Sequence, residues 1–244
     1  MASPDILGAS SGAAFGAALA ILLGFGSVGI TISAFFFSLL TVALVYLIGQ
    51  RAQGKRILNL VLAGMVVSSL FTAGTSYIKL VADPTNQLPA ITYWLMGSLS
   101  GVRMTKVLYI FPVMLLGLVP LFLLRWKINL LTLGDEEAQA MGIHPVRLRF
   151  VIVICATLVT SASISVAGTI GWVGLVVPHL SRKLTGSNFK KLLPASMLAG
   201  AAFLLLVDDL SRNLLATEIP IGILTAFIGA PFFLYMMLRK EGVH

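Results

Sequence analysis

The sequence is poor in the residues that most enzymes use. Of 244 residues, one is cysteine, three are histidine and nine are acidic, and charged residues of all kinds make up 11%. A soluble domain carries about 25%, so this chain cannot clothe a water-facing surface. The lone Cys155 excludes an internal disulfide and any CxxC pattern; it lies inside an apolar run and reads as a small buried side chain. His144, His179 and His244 share no metal-ligand spacing, and no serine occupies a G-x-S-x-G. No catalytic constellation is therefore visible, and no metal or cofactor is expected on this chain.

Nucleotide-binding loops are missing too, despite two look-alikes. Residues 49–56 spell GQRAQGKR, but Arg56 stands where a P-loop needs Ser or Thr, and a long apolar run precedes it instead of a buried strand. Residues 24–29 spell GFGSVG, a tight turn between two apolar runs, with no acid about 20 residues later. The start, Met1-Ala-Ser-Pro-Asp, has no positive region of the kind that opens a cleavable signal peptide.

What remains is oil. Hydrophobic residues form 58% of the chain and its mean hydropathy is +0.98, which makes it an integral membrane protein with an all-α, polytopic bundle. Apolar runs fall at Gly12–Phe25, Val28–Ile48, Ile57–Val81, Val107–Leu124, Leu148–Ala167, Ile170–Leu184, Leu193–Leu206 and Ile221–Leu238. These are eight candidate spans, of which the first and sixth are short for a core of about 30 Å. The net charge of +8 sits in short loops, a pattern that reports topology and not nucleic-acid binding. Arg51, Lys55, Arg56, Arg125, Lys127, Arg147, Arg149, Arg182, Lys183, Lys190, Lys191, Arg239 and Lys240 all fall on one side if the spans alternate. That side is expected to be cytoplasmic, holding loops 49–57, 125–149, 181–193 and the C-terminus. The other side carries the basic exceptions Arg103, Lys106 and Arg212.

Two further patterns concern packing. Gly8, Gly12, Gly16, Ala20 and Gly24 form a small-residue face in the first run, and Gly222, Ala226 and Ala230 repeat it in the last. Such faces let helix backbones approach closely in lipid. After DPTNQLP, which reads as an extended start, Ile91–Leu99 is expected to form a short helix with Tyr93 and Trp94 at the membrane interface.

Leu133–His144 stands apart. It holds Asp135, Glu136 and Glu137, a third of the acids in the chain. A two-turn helix is expected there, with the acids in the first turn and Gly142 stopping it. Ala138 and Met141 are three residues apart and are expected on one face. An amphipathic helix between two spans belongs outside the bilayer, where it can touch another protein. Asp208 and Arg212 make an i,i+4 pair near the outer end of the seventh run. An ion- or proton-coupled transporter using Asp208, Asp209 and Glu218 is the alternative reading, since ionisable groups in spans are often functional.

Six segments together resemble the FecCD/BtuC family, the permease subunits of ABC importers for iron–siderophores, haem and cobalamin. They are ASPDILGASSGAAFGA (2–17), YWLMGSLSG (93–101), LTLGDEEAQAMGI (131–143), AGTIGWVGLVVPHLSRKLTG (167–186), LLPASMLAG (192–200) and IPIGILTAFIGAPFFLY (219–235). The resemblance implies one permease domain over 1–244, with eight spans of a ten-span fold and the first two spans not represented. It implies a homodimer in the bacterial or archaeal cytoplasmic membrane, one ABC ATPase per half, and a periplasmic or lipid-anchored binding protein. ATP and magnesium would then belong to the ATPase. Gly134, Asp135, Glu136, Glu137, Ala138, Met141, Gly142 and Ile143 would form the coupling helix, with Ala138 and Met141 as its apolar contact and the acids orienting it. Arg212, with Arg103 and Lys106 as weaker candidates, would meet the binding protein. The implied cargo is a metal chelate, first of all an iron–siderophore.

Overall fold

The smallest side chains sit where the helices come closest. The computed structural model describes residues 7–51, 56–215 and 217–238, and every regular element among them is an α-helix. Helix α1 (Ala9–Leu22) is the centre of the first group of helices: Ala9, Gly12, Ala13, Gly16, Ala17, Ala18 and Ala20 are all buried. It turns back at Gly24 onto α2 (Ser27–Arg51). A Cβ on Gly12 would lie 2.1 Å from Thr41 Oγ1, and one on Gly16 would lie 2.5 Å from the Ser33 carbonyl oxygen. The predicted small-residue face thus works at Gly8, Gly12, Gly16 and Ala20. Gly24 is not part of it, because the helix has already ended and a Cβ there would meet nothing.

Buried hydroxyls bind α1 and α2 to α8 (Pro145–Ala167). Ser38 Oγ donates to the Ala9 carbonyl at 2.9 Å and lies 2.7 Å from Ser161 Oγ. A hydroxyl has one proton, so Ser161 must be the donor to Ser38. Ser33 Oγ donates to the Gly16 carbonyl at 2.7 Å. In lipid such bonds contribute about 0.6 kcal/mol each, with close packing supplying the rest. Helices α3 (Arg56–Val81) and α5 (Met104–Leu123) flank this centre, α5 lying against α8. On α5, Gly117 makes the close approach, its hydrogen standing where a Cβ would be 2.8 Å from the Cys155 carbonyl oxygen.

The second group is α9 (Val173–Thr185), α10 (Phe189–Asn213) and α11 (Ile221–Leu238). At one end of the bundle it meets the first group through α6 (Arg125–Leu130), a short helix with no counterpart among the expected elements. Asn129 Oδ1 accepts from Phe189 N–H at 2.9 Å, and Asn188 Oδ1 accepts from Lys190 N–H at 3.0 Å. Two otherwise orphaned donors at the start of α10 are satisfied in this way. Tyr46 on α2 stacks obliquely against Phe150 on α8, centroids 5.4 Å apart, so the α2–α3 connection belongs to the same end. Of the basic loop residues expected there, Lys55, Arg239 and Lys240 lie outside the described residues, as do His244 and positions 52–54 of the P-loop look-alike.

At the opposite end, α4 (Gln87–Met96) takes the place expected for a helix at Ile91–Leu99. It starts earlier because Pro89 falls in the first turn, where a missing N–H costs nothing. Gln87 Nε2 donates to the Leu22 carbonyl at 3.2 Å, tying α4 to the end of α1. The C-terminus of α4, the turn 168–172 and the start of α11 then meet backbone to backbone. Ser98 N–H donates to the Ala167 carbonyl at 2.8 Å, and Gly222 N–H faces the Gly97 carbonyl at 3.4 Å. Cβ atoms on Gly97, Gly168 and Gly222 would lie 2.5, 2.3 and 2.1 Å from the carbonyl oxygens of Thr169, Trp94 and Met96. Trp172, at φ 68, sits over Gly229 and beside Phe233. On α11 the closest backbone approaches are at Gly222, as predicted, and at Gly229. Of the other predicted positions, Ala226 and Ala230 are partly buried, as Gly222 is.

Each of the eight predicted runs contains a helix, the first run outlasting α1 at Leu22 and the sixth turning helical only at Val173. Among the described residues, five helices have the length and apolarity of a membrane span: Ser27–Arg51, Leu58–Val81, Met104–Leu123, Pro145–Ala167 and Phe189–Asn213. Helices α1 and α9, of 14 and 13 residues, are too short to cross unaided, as their sequences indicated. One test of this packing is Gly12→Val, which drives a side chain into Thr41 and the Phe37 carbonyl. It should cost about 1–3 kcal/mol, read as a lowered midpoint for thermal loss of monodisperse protein in detergent. Gly101→Ala, where an added Cβ meets nothing, should leave that midpoint unchanged.

Candidate functional site

Two regions gather the charged residues singled out by sequence, one at each end of the bundle. The first is α7 (Asp135–Ala140), a helix of six residues between α6 and α8. Gly134 precedes it at φ 136, a conformation open to glycine, and the Glu137 carboxylate occupies the space a Cβ would need. Asp135, Glu136 and Glu137 fill the first turn, as expected. The helix closes with paired backbone bonds: Gly142 N–H to the Gln139 carbonyl at 2.9 Å and Ile143 N–H to the Ala138 carbonyl at 3.0 Å. With Gly142 at φ 79, this is a Schellman closure, and it carries the expected apolar contact between Ile143 and Ala138.

That closure corrects the expected apolar face. Ala138 is 0% exposed and packs with Leu131, Ile143 and Leu148, whereas Met141 is 46% exposed. The i,i+3 rule failed because the helix ends at Ala140, so Met141 is already the cap residue and its side chain swings outward. Ala138 and Ile143 therefore anchor α7 to the protein itself and are not free for a partner. Glu136, Glu137, Met141 and Gly142 are exposed.

Asp135 faces Arg149 on α8. Arg149 Nη1 donates to Oδ2 at 2.8 Å and Nη2 to Oδ1 at 2.5 Å, a two-pronged pair. The Arg149 hydrogen bond, with a smaller coulombic contribution from the same guanidinium, outweighs partial desolvation and holds the Asp135 carboxyl below its ordinary value. A lowered carboxyl favours the paired state above that value, so the pair is intact at neutral pH and is lost only as pH falls through it.

At the other end, Arg212 Nε donates to Asp208 Oδ2 at 2.9 Å, the i,i+4 pair read from sequence. Asp209 accepts from Asn213 Nδ2 at 2.9 Å. Glu218 is exposed beyond the end of α10, where its charge acts on Arg212. The acids of the ion-coupled reading are thus engaged locally, and no group of three or more His, Cys, Asp or Glu able to hold a metal occurs among the described residues. Arg103 is exposed at the start of α5. Lys106 is not beside it on the rim: it is partly buried and lines a cleft of about 430 Å³ with Tyr93, Trp94, Ser98 and Ser165. The cleft is assembled from three separate stretches of chain, 21–31, 90–106 and 165–168, so no local pattern announces it; the paired aromatics of α4 are its one sequence signal.

Comparison with known proteins places this geometry. The model of the FecCD transport family matches residues 1–239. The chain is 42% identical to the molybdate import system permease protein MolB of Haemophilus influenzae, covering all of this chain and 73% of MolB. It is 38% identical to the Fe(3+)-citrate import system permease protein YfmE of Bacillus subtilis, covering 97% of this chain and 71% of YfmE. Among solved structures, an inward-facing metal-chelate type ABC transporter superposes with a TM-score of 0.91 at 42% identity, over 98% of this chain and 76% of the other. A helical membrane bundle that matches this family's model over residues 1–239, and aligns over nearly all of its own length with about three quarters of the family's permeases, belongs to the FecCD transport family of ABC importer permeases.

Proposed function

We propose that this permease carries a metal chelate, with an iron–siderophore as first candidate, through a homodimer driven by an ABC ATPase. The observation that carries the energy-coupling part is the posture of α7: its inner face is locked into the bundle through Ala138 and Ile143, while Glu136, Glu137 and Met141 face outward. A small apolar tip beside fixed negative charge suits a groove on a partner with basic edges. ATP and magnesium are held by that partner. Closing of the ATPase dimer moves α7, and α8 with it, and access switches from one side to the other.

The sidedness in this reading comes from the basic loops. Arg125, Lys127, Arg147, Arg149, Arg182, Lys183, Lys190 and Lys191 cluster at the α6–α7 end, so that end is cytoplasmic by the positive-inside rule. The Arg212 end is outside, in the cytoplasmic membrane of a bacterium or archaeon. There Arg212 and Arg103 steer a substrate-binding protein onto the permease. Lys106, being recessed, acts inside the cleft and not at the rim. Cargo class rests on kinship with a metal-chelate type transporter and a ferric citrate permease. Since MolB imports molybdate, the binding protein is the main selector.

Reconstituted with its ATPase and binding protein, the permease should accumulate a ferric siderophore only when ATP is supplied. Uptake that survives without ATP and collapses with the proton gradient would sink this reading in favour of the ion-coupled one. Gly142→Val puts a branched side chain at φ 79 and should cost about 1–2 kcal/mol locally. Uptake should fall while ATP hydrolysis and membrane insertion persist, and Gly142→Asn, which tolerates that conformation, should keep most uptake. Arg212→Glu should slow association of the binding protein roughly tenfold at low salt, with little effect on dissociation. An unchanged, salt-dependent on-rate would count against the docking role.

A further inference from the structure

A lever needs a joint that does not swivel, and the joint between α7 and α8 is by itself a poor one. It consists of Met141, Gly142, Ile143 and His144, with Gly142 at φ 79 and no side chain to stiffen it. A partner pushing on the exposed face of a six-residue helix would rotate it about this joint. Two features near the joint resist that. The Schellman bonds close the last turn, and Ala138, Ile143 and Leu148 pack together with Leu131 from the chain before α7. Both act on the C-terminal half of α7, where resistance to rotation has the shortest arm.

Asp135 is the first residue of α7 and so lies farthest from the joint. Arg149 stands one turn into α8, four residues after Pro145, which starts that helix. Their two parallel hydrogen bonds, 2.8 and 2.5 Å, close a triangle whose other sides are α7 and the first turn of α8. A forked guanidinium–carboxylate contact fixes orientation as well as distance, which a lysine ammonium would not. Both side chains are 49% exposed, so the pair adds little to overall stability, as exposed ion pairs generally do. Its geometry serves another purpose.

We propose that Asp135 and Arg149 form the brace that converts displacement of α7 into displacement of α8, so that Asp135 is a positioning residue and not a contact to the ATPase. This rests on the reading of α7 as the coupling helix. The three acids then divide the work between them. Asp135 holds the lever to its shaft, while Glu136 and Glu137 meet the partner.

The test uses the assembled permease–ATPase complex in lipid nanodiscs and needs no transported substrate. Spin labels at Ser163 on α8 and Leu206 on α10, both exposed, report the distance change on adding a non-hydrolysed ATP analogue, in a Cys155→Ala background. Asp135→Asn and Arg149→Lys should each cut that change at least about threefold while the ATPase still binds with wild-type affinity, and the swap Asp135→Arg with Arg149→Asp should restore most of it. Full movement in the single variants would overturn the brace. So would additive losses with no rescue by the swap, or loss of ATPase affinity in Asp135→Asn, which would make Asp135 a partner contact. Glu136→Lys with Glu137→Lys serves as the separate control. If that variant binds the ATPase unchanged, the coupling reading itself falls, a result distinguishable from failure of the brace alone.

Discussion

Everything in this molecule depends on backbones meeting without side chains between them. Lipid tails are as apolar as leucine, so burying leucine against leucine gives a membrane helix little reason to associate. What remains is contact density, and that is highest where glycine removes the Cβ. Gly12 and Gly16 bring α1 against α2, Gly117 brings α5 against α8, and Gly97, Gly168 and Gly222 bring three chain segments together at one end. The hydroxyls of Ser33, Ser38 and Ser161 operate at the distances these glycines allow. Large apolar residues such as Leu80, Leu116 and Phe227 are left outward, 68–81% exposed, to meet lipid.

Packing of this kind is unevenly distributed through the molecule. The first helix group is dense around α1. The second, α9–α11, is attached mainly through α6 at one end and the glycine junction at the other. The two groups are thus held at both ends and packed loosely between them. The charged helix α7 belongs to the first body, through Leu131, Ala138, Ile143 and Leu148. Force applied there enters the body that contains α8.

Much of this was legible in the sequence, for identifiable reasons. Apolar runs of spanning length found every long helix, since nothing else in a polytopic chain has that composition. The acids of α7 and its terminal glycine were readable because first-turn charge and a left-handed stop are local rules. Facing directions were less secure. Ala138 and Met141 looked like one face until the helix proved too short to carry its periodicity to the second of them. Lys106 looked like a rim charge because sequence gives the side of a membrane but not the depth of a side chain. Short α6 was missed, since six residues show no period, and its partner Asn129 becomes meaningful only beside the start of α10. The posture of Trp172 has no local cause at all; Gly229, 57 positions later, makes room for it.

The brevity of α9 has a consequence for the bilayer itself. Thirteen residues rise about 20 Å, roughly 10 Å less than the hydrocarbon core. The turn 168–172 at its start also ends α8, whose 23 residues rise about 35 Å, so α9 falls short of the depth its neighbour covers. Bare backbone inside a bilayer has no water to bond. Here it is supplied from within, by Ser98 to Ala167, by Thr169 to the Leu95 carbonyl, and by the close seats at Gly97 and Gly222. That end of the bundle is consequently closed by backbone seated on backbone and not by a loose loop.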